Sequence, residues 1–436
     1  FRFCENPYFR QFLFETQNLH HSRVSYQIQC RIALMEFGVS LFDRYRRKWI
    51  HKDQLYHKPV YPEVTERLNG MHILAALGSI ALIVIVLGDA FEVIILPRRV
   101  TRKFRLARLF YRGTWRPWKW AAEHMKNRTR REVFLSFYGP VSLVFLLVVW
   151  AAGLVLGFAC LHEALATPMK VEGGTLGFLT YLYFSGSAFF TLGVGDVLAQ
   201  GWRGRTLTVL EGGLGFGFLA IVIGYLPVLY QAFSRRELNI SLLDARAGSP
   251  STAAELLVRH FDGDAFVELS AFLRDWERWS AELLESHLSY PVLAYYRSQH
   301  SNQSWVSALT TILDVSALVM VGIEGVPAHQ AKLTFAIARH AVVDIAHVFN
   351  TTPHSPHRDR LPPEELARLR NYLSSHGIIL RSEDIDDERL HALRHMYEPY
   401  VHAISTYLLM PLPAWQTGAQ SSDNWQTSAW ERVTHV

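Results

Sequence analysis

Cysteine is scarce in this sequence, and its spacing does not suggest a metal site. Only three of the 436 residues are cysteines, Cys4, Cys30 and Cys160, and they lie far apart with no pair at metal-ligand spacing. Neither a disulfide framework nor a zinc site is therefore expected. Charge is sparse as well, because 19% of the residues are charged whereas 50% are hydrophobic. That balance is low in charge for a soluble protein and directs attention to the apolar segments.

The sequence also lacks the residue patterns of common enzymes. No nucleophile–base pair, metal-ligand set or phosphate-binding loop stands out. The stretch EGGLGFG at 211–217 has the glycine density of a dinucleotide-binding loop, but it lies in an apolar helix with no strand before it. The first apolar segment has no arginine at every third position, which argues against a classical voltage sensor. We therefore predict a protein that is not an enzyme and that needs no cofactor.

Three apolar segments are long enough to cross a bilayer, which takes about 20 mostly apolar residues. They cover residues 72–96, 133–161 and 205–233. A shorter apolar run at 177–190 cannot span the membrane, yet it is too apolar for a solvated loop. Non-spanning backbone is tolerated at membrane depth only where protein or a water-filled cavity surrounds it, so we predict a re-entrant half-helix here.

The basic residues predict the orientation of these segments. The loop at 98–132 holds thirteen Lys or Arg residues and two acids, which places it in the cytoplasm by the positive-inside rule. We interpret this run as a topology determinant that lies along anionic headgroups, and not as a nucleic-acid site. Trp115, Trp118 and Trp120 suit an interfacial stretch. In a multi-pass protein of the plasma membrane, residues 234–436 are then cytoplasmic, and the residues before the first apolar segment are external.

Residues 1–70 show no clear period of hydrophobicity and mix aromatic, charged and histidine side chains. Met71 directly precedes the first apolar segment. Two interpretations stay open: these residues belong to the natural product, or they are an upstream extension of a product that begins at Met71. Residues 1–20 carry charges throughout, so no cleavable signal peptide is expected.

The stretch SAFFTLGVGDV at 187–197 follows the predicted half-helix. A chain that enters the membrane as a half-helix and leaves it in extended form exposes backbone carbonyls, which can replace the water shell of a cation. Turning successive carbonyls the same way requires unusual dihedral angles, which glycine adopts without steric cost. The alternating Gly193 and Gly195 meet that requirement. The carbonyls of Thr191, Leu192, Gly193 and Val194 then form an ion ladder, with Asp196 at its outer mouth.

The segment TLGVGD at 191–196 resembles the potassium-channel selectivity filter, whose pattern is TVGYGD. The order of outer helix, pore helix, filter and inner helix over residues 133–233 also resembles the two-transmembrane pore module of that superfamily. The resemblance implies passive conduction of K+. It further implies that an aromatic pair, here Tyr183 and Phe184, braces the filter, with the tyrosine hydroxyl within reach of Asp196.

Two residues of the filter segment differ from the family pattern, and the position of the gating hinge is open. Leu192 replaces the usual valine, and Val194 replaces the usual tyrosine, whose side chain packs against the pore helix. The smaller valine braces the filter less firmly and relaxes the selectivity for potassium over sodium. The inner helix has several candidates for the family's gating hinge, namely Gly212, Gly213, Gly215, Gly217, Gly224 and Pro227.

The chain holds a single pore segment, so a four-fold ring of carbonyls needs four chains and predicts a homotetramer. Three acidic residues of the apolar helices invite a functional interpretation, because such residues are often functional. For Asp89 and Glu92 we favour pairing with Arg98 and Arg99 at the interface. Glu211 near the outer start of the third helix has two open interpretations: a functional one, in which it supports the filter from behind or attracts cations, and a plain interfacial charge.

The sequence of the predicted cytoplasmic part indicates a bundle of helices. Amphipathic or well-marked helices are predicted at 267–288, 331–349, 362–377 and 384–409. The apolar run at 304–323 has spanning length, but Asp314 at its centre costs about 2.5–3.5 kcal/mol on insertion. We therefore predict that it forms part of a soluble core.

The sequence thus predicts an all-α membrane protein with three transmembrane helices, a re-entrant pore helix with its filter, and a soluble helical cytoplasmic domain. Its predicted function is a homotetrameric potassium channel, and the alternatives are a weakly selective cation channel or a membrane receptor or scaffold that signals through its helical domain. The expected partners are K+ ions and the lipid membrane, with no nucleic acid. The predicted organisation begins with an extension at 1–70, a first transmembrane helix at 71–97 and a basic loop at 98–132. A pore module follows at 133–233, with its pore helix at 177–190, its filter at 191–196 and its inner helix at 205–233. The chain then continues as a cytoplasmic helical domain at 234–412 and a polar tail at 413–436.

Overall fold

The structure is a computed structural model that describes residues 70–96, 105–171, 175–266, 268–300, 302–354, 359–381 and 384–416. Almost all of the predicted N-terminal extension, Arg98 and Arg99, and most of the predicted polar tail lie outside the described residues. In the described part the regular structure is almost entirely helical, so the chain is an all-α membrane protein as predicted.

Three long helices carry the apolar segments: α1 (Gly70–Ile94), α3 (Arg128–Ala164) and α5 (Gly201–Ala247). Each is long and apolar enough to cross a membrane, and only 17%, 39% and 22% of their apolar stretches are buried inside the protein. Many of their large apolar side chains face outwards, which is the arrangement that lipid stabilises and water does not. α5 extends well beyond the predicted inner helix and ends at Gly248, whose φ of 81° suits glycine.

Helices α1 and α3 pack side by side through apolar contacts and one buried hydrogen bond. The indole of Trp150 donates to Oδ2 of Asp89 at 2.9 Å, and the backbone N–H of Ala107 donates to the same oxygen at 3.0 Å. Asp89 is therefore satisfied by neutral donors. Glu92 contacts Arg105 at 3.3 Å. The predicted partners at positions 98 and 99 lie outside the described residues, and the sequence pattern did not reveal the role of Trp150.

The predicted basic loop contains a helix, α2 (Leu106–Glu123), which we did not predict. The prediction that Trp115 lies at the lipid interface was wrong, because Trp115 is buried and donates to the carbonyl of Tyr407 at 3.1 Å. Its ring packs on Tyr138 of α3 and on Tyr295. Trp120, in contrast, is 63% exposed. One face of α2 thus joins the helical domain, while Arg108, Arg112 and Arg116 remain exposed.

The helical domain comprises seven α-helices within the described residues. They are α6 (Ala253–Arg259), α7 (Leu269–Ser289), α8 (Trp305–Gly322), α9 (Ala328–Phe349), α10 (Pro363–Ser375), α11 (Asp384–His395) and α12 (Glu398–Leu408). α8 lies at the centre, with 89% of its apolar stretch buried inside the protein, although it is long and apolar enough to cross a membrane. It packs between its neighbours as a core helix, in agreement with the prediction from Asp314.

The partners of Asp314 explain how an acidic side chain is tolerated in that core. Its carboxylate accepts from Nη2 of Arg360 at 2.6 Å and from the hydroxyl of Tyr397 at 2.5 Å. Arg360 also contacts Glu398 at 3.2 Å. Two strong hydrogen-bond donors offset the free-energy cost of burying this carboxylate, whereas burial of an unpaired carboxylate is strongly unfavourable.

The helical domain meets the membrane helices through a 3-10 helix, Pro291–Tyr295. Val292 and Leu293 pack against Tyr225 and Leu229 of α5. Arg236 of α5 is buried here and donates to the carbonyls of Leu293 at 2.8 Å and of Tyr296 at 2.9 Å. The inner end of α5 is therefore hydrogen-bonded directly to the domain.

Candidate functional site

The candidate site begins at a short helix, α4 (Phe178–Phe189), held between α3 and α5. Its bounds agree within a residue with the predicted pore helix. Two three-residue strands, β1 (Met169–Val171) and β2 (Val197–Ala199), pair antiparallel and bring together the segments that flank α4 and the following loop. The hydroxyl of Tyr181 donates to the carbonyl of Thr167 at 3.1 Å, which ties the helix to the segment before it.

Helix α5 approaches the end of α4 very closely at Gly215. A Cβ atom added at Gly215 would lie 1.9 Å from the carbonyl oxygen of Phe189, far below any real contact distance. Glycine is therefore required at this crossing for steric reasons. This packing role was not predicted for Gly215, which we had assigned only to a hinge.

The loop after α4 has an alternating backbone. Thr191, Gly193 and Gly195 have φ angles of 56°, 59° and 88°. The intervening Leu192 and Val194 are not among the residues with positive φ. Positive φ at every second residue is the backbone pattern that the predicted carbonyl ladder requires. Positive φ in a β-branched residue such as Thr191 is unusual and indicates local backbone strain.

The predicted bracing residues have different neighbours. The hydroxyl of Tyr183 donates to Oδ1 of Asp196 at 3.2 Å, and the N–H of Val197 donates to the same oxygen at 3.0 Å. Phe184 is buried on the other side of α4, where its ring meets the ring of His162 edge to face at 5.3 Å. The bracing role of both residues stays a prediction, and only Tyr183 contacts the loop directly.

The side chains of Leu192 and Val194 lie at the surface of the single chain. They are 67% and 60% exposed. The expectation that Val194 braces the filter against the pore helix stays a prediction. The segment thus presents two exposed aliphatic side chains that a neighbouring surface can cover.

A buried polar cluster lies behind α4. Glu211 of α5 and His162 of α3 are fully buried, with Nε2 of His162 3.6 Å from Oε2 of Glu211. His162 also lies 3.1 Å from the hydroxyl of Thr167 through Nδ1. The hydroxyl of Ser185 on α4 is buried close to Glu211. Of the two interpretations of Glu211, the position behind the filter fits its location, because an interfacial charge would be solvated.

The remaining hinge candidates lie in one continuous helix. Gly213, Gly217 and Gly224 would each meet nothing within 4 Å if a Cβ were added, and Pro227 lies inside α5 without ending it. A hinge at any of them stays a prediction.

Residues 134–231 match a family model whose description is "Ion channel". This segment is therefore similar to an ion-channel module of the two-transmembrane kind. It runs from α3 through α4 and the loop to α5, which is the segment predicted from TLGVGD.

One curated relative gives a broader comparison. The chain is 25% identical over 195 residues to an uncharacterized membrane protein of Bacillus subtilis, YdjJ. The match covers 43% of this chain and 55% of that relative, so the chain spans about half the length of the relative it matches. No solved structure matches the chain. The comparisons thus support an ion-channel domain within a membrane protein.

Proposed function

We propose that this protein is a homotetrameric potassium channel of the plasma membrane, with residues 234–436 in the cytoplasm. The observation that carries the proposal is the alternation of positive φ at Thr191, Gly193 and Gly195. K+ ions lose their water to a ring of backbone carbonyls from residues 191–194 and pass in single file, without a cofactor.

The surroundings of the loop support this assignment. The carboxyl end of α4 points toward the inner end of the loop, so the negative end of its dipole favours a cation there. Asp196 is exposed beside Gly195 and adds a carboxylate at the other end. Both features attract cations and repel anions.

The exposure of Leu192 and Val194 supports assembly from several chains. A single chain supplies one arc of carbonyls, whereas an ion needs oxygens on every side. Four copies around one axis provide that ring and also cover the exposed aliphatic side chains with neighbouring subunits.

A weakly selective cation channel is the second candidate, and Val194 favours it. Valine lacks the ring and hydroxyl that stiffen the family filter, so the carbonyl ring can adjust more easily to a smaller ion. In that case the same four-fold pore conducts Na+ as well as K+.

The experiment is an ion-flux measurement on liposomes that contain the purified protein, with K+ and Na+ gradients run in parallel and with Ba2+ as a blocker. We expect K+ flux well above Na+ flux, blocked by Ba2+. Equal flux of the two ions would replace the potassium assignment by the weakly selective one. Native mass spectrometry of the same preparation gives the subunit number, and a monomer or dimer would contradict the tetramer.

Two glycine substitutions form the matched pair for that experiment. Gly193→Ala forces a Cβ onto a residue with φ of 59°, so flux should be lost. Gly177→Ala lies before α4, where φ is −153° and a Cβ meets nothing within 4 Å, so flux should persist. Flux retained by Gly193→Ala would show that the loop does not form the pore.

A further inference from the structure

A cavity of about 290 Å³ lies where the membrane helices meet the helical domain. Its walls come from the inner end of α1, from α2, from α5, from the 3-10 helix and from the end of α9. The volume is close to the lower end of the range for small-molecule sites. No part of the proposed channel mechanism uses this cavity.

Arginines of α2 line one side of the cavity. Arg108 and Arg112 are exposed one turn apart, and neither forms an ion pair within the described part of the chain. The acids that line the cavity are already engaged, because Glu92 contacts Arg105 at 3.3 Å and Asp344 contacts His340 at 3.5 Å. Two guanidinium groups are thus left to bind an anion, and arginine suits phosphate oxygens especially well.

The rest of the cavity is largely apolar and aromatic. Val93 of α1 and Leu96 just after it line the cavity, together with Tyr225, Val292 and Phe349. Leu109, on the outer face of α2, is 64% exposed next to the arginines. A ligand that fits these walls has an anionic head and an apolar body.

The position of the cavity indicates the source of such a ligand. It lies at the inner end of a membrane-spanning helix, on the side that the basic residues assign to the cytoplasm. Headgroups of the adjacent leaflet lie at this depth, and anionic lipids are attracted to arginines there. We propose that the cavity binds the phosphate group of an anionic lipid through Arg108 and Arg112, with the start of the acyl region against α1.

The bound lipid would contact the parts that hold the inner helix. Tyr225 belongs to α5, and Val292 belongs to the 3-10 helix whose carbonyl at Leu293 accepts from Arg236. Occupancy therefore stabilises one arrangement of α2, the 3-10 helix and α5. Binding itself is independent of conduction, whereas an effect of the lipid on K+ flux rests on the proposed channel function.

Lipid binding is measured directly by native mass spectrometry of the detergent-solubilised protein with phosphatidic acid or phosphatidylcholine. We expect preferential retention of phosphatidic acid, weakened by roughly tenfold or more in the double variant Arg108→Gln/Arg112→Gln. The matched control is Arg116→Gln, an exposed arginine of the same helix outside the cavity, which should retain the lipid. Equal retention by all three proteins, or loss only in the control, would overturn the proposal.

A soluble competitor distinguishes the source of the phosphate. Glycerol 3-phosphate should compete poorly, because it lacks the apolar body; competition as strong as that of phosphatidic acid would overturn the lipid assignment in favour of a soluble phosphate. Ion flux is then compared in phosphatidylcholine liposomes with and without phosphatidic acid. Selective lipid binding without ion flux under either condition would contradict the channel function but support the lipid site. Ion flux without selective lipid binding would contradict the lipid site but support the channel function.

Discussion

Arg236 of the inner helix donates a hydrogen bond from Nη1 to the carbonyl oxygen of Leu293 at 2.8 Å, and so joins α5 to the 3-10 helix of the helical domain. The same guanidinium donates to the carbonyl of Tyr296 and pairs with Glu237 at 2.8 Å. Four consequences for measurement follow from this junction and from the loop above it.

Replacing Arg236 should disconnect the domain from the inner helix. In Arg236→Met the two carbonyls lose their donor and the buried Glu237 loses its partner, which destabilises the protein by about 3–5 kcal/mol. The measurement is the midpoint of thermal unfolding in detergent. Arg235→Met, which changes the exposed neighbour, should leave the midpoint nearly unchanged. Equal midpoints for the two variants would show that the junction contributes little.

This junction illustrates what the sequence could not reveal. Arg236 follows an apolar helix and reads as an ordinary positive-inside charge, and its burial results from a turn 57 residues later in the chain. Trp115 was misinterpreted for the same reason, because its partner Tyr407 is distant in sequence. The loop at 191–196 was predictable because its requirement is local: glycines must alternate where backbone angles alternate. Apolar length predicted the membrane helices equally well, since that property needs no knowledge of neighbours.

Gly215→Ala should disrupt the pore module by separating α5 from α4. The added methyl group would meet the carbonyl of Phe189, a backbone atom that cannot rotate away. We expect a lower yield of folded protein and an unfolding midpoint several degrees below that of the wild type. Gly213→Ala, where a Cβ meets nothing within 4 Å, is the matched control on the same helix. A normal midpoint for Gly215→Ala would contradict the close crossing.

His287 should make the protein less stable in acid. Burial, together with the positive charge of Arg236, lowers the pKa of His287 to about 3, compared with the ordinary value of 6.5. Its Nδ1 lies 2.9 Å from the carbonyl of Leu283 and its Nε2 lies 3.3 Å from Nη1 of Arg236, so the neutral ring donates to the first and accepts from the second. Protonation would place a second cation against the guanidinium.

The sign of the effect follows from the two pKa values of His287. Below the ordinary value of 6.5 the unfolded chain binds a proton that the folded protein excludes until about pH 3. Stability is therefore complete above pH 6.5 and falls as the pH decreases, by about 1.4 kcal/mol per pH unit for this one proton. Unfolding midpoints measured from neutral to acidic pH should fall less steeply in His287→Gln than in the wild type. The exposed His329→Gln should follow the wild type, and identical slopes for all three proteins would rule out this role of His287.

Tyr183→Phe should loosen the filter while leaving the fold intact. The substitution removes only the hydroxyl that donates to Asp196 at 3.2 Å, a bond that contributes about 0.5–1.5 kcal/mol. In the proposed tetrameric pore the carbonyl ring should then discriminate less between ions, and the ratio of K+ to Na+ flux should fall by up to about tenfold.

The matched control lies on the same short helix. Tyr181→Phe removes a hydroxyl that donates to the carbonyl of Thr167 at 3.1 Å, a comparable bond that does not reach the loop. It should lower the unfolding midpoint without changing the flux ratio. If the two variants shift the ratio equally, the hydroxyl of Tyr183 acts only by stabilising α4. If neither shifts it, Asp196 is held by the N–H of Val197 alone, and selectivity depends on the backbone of residues 191–195 without a side-chain brace.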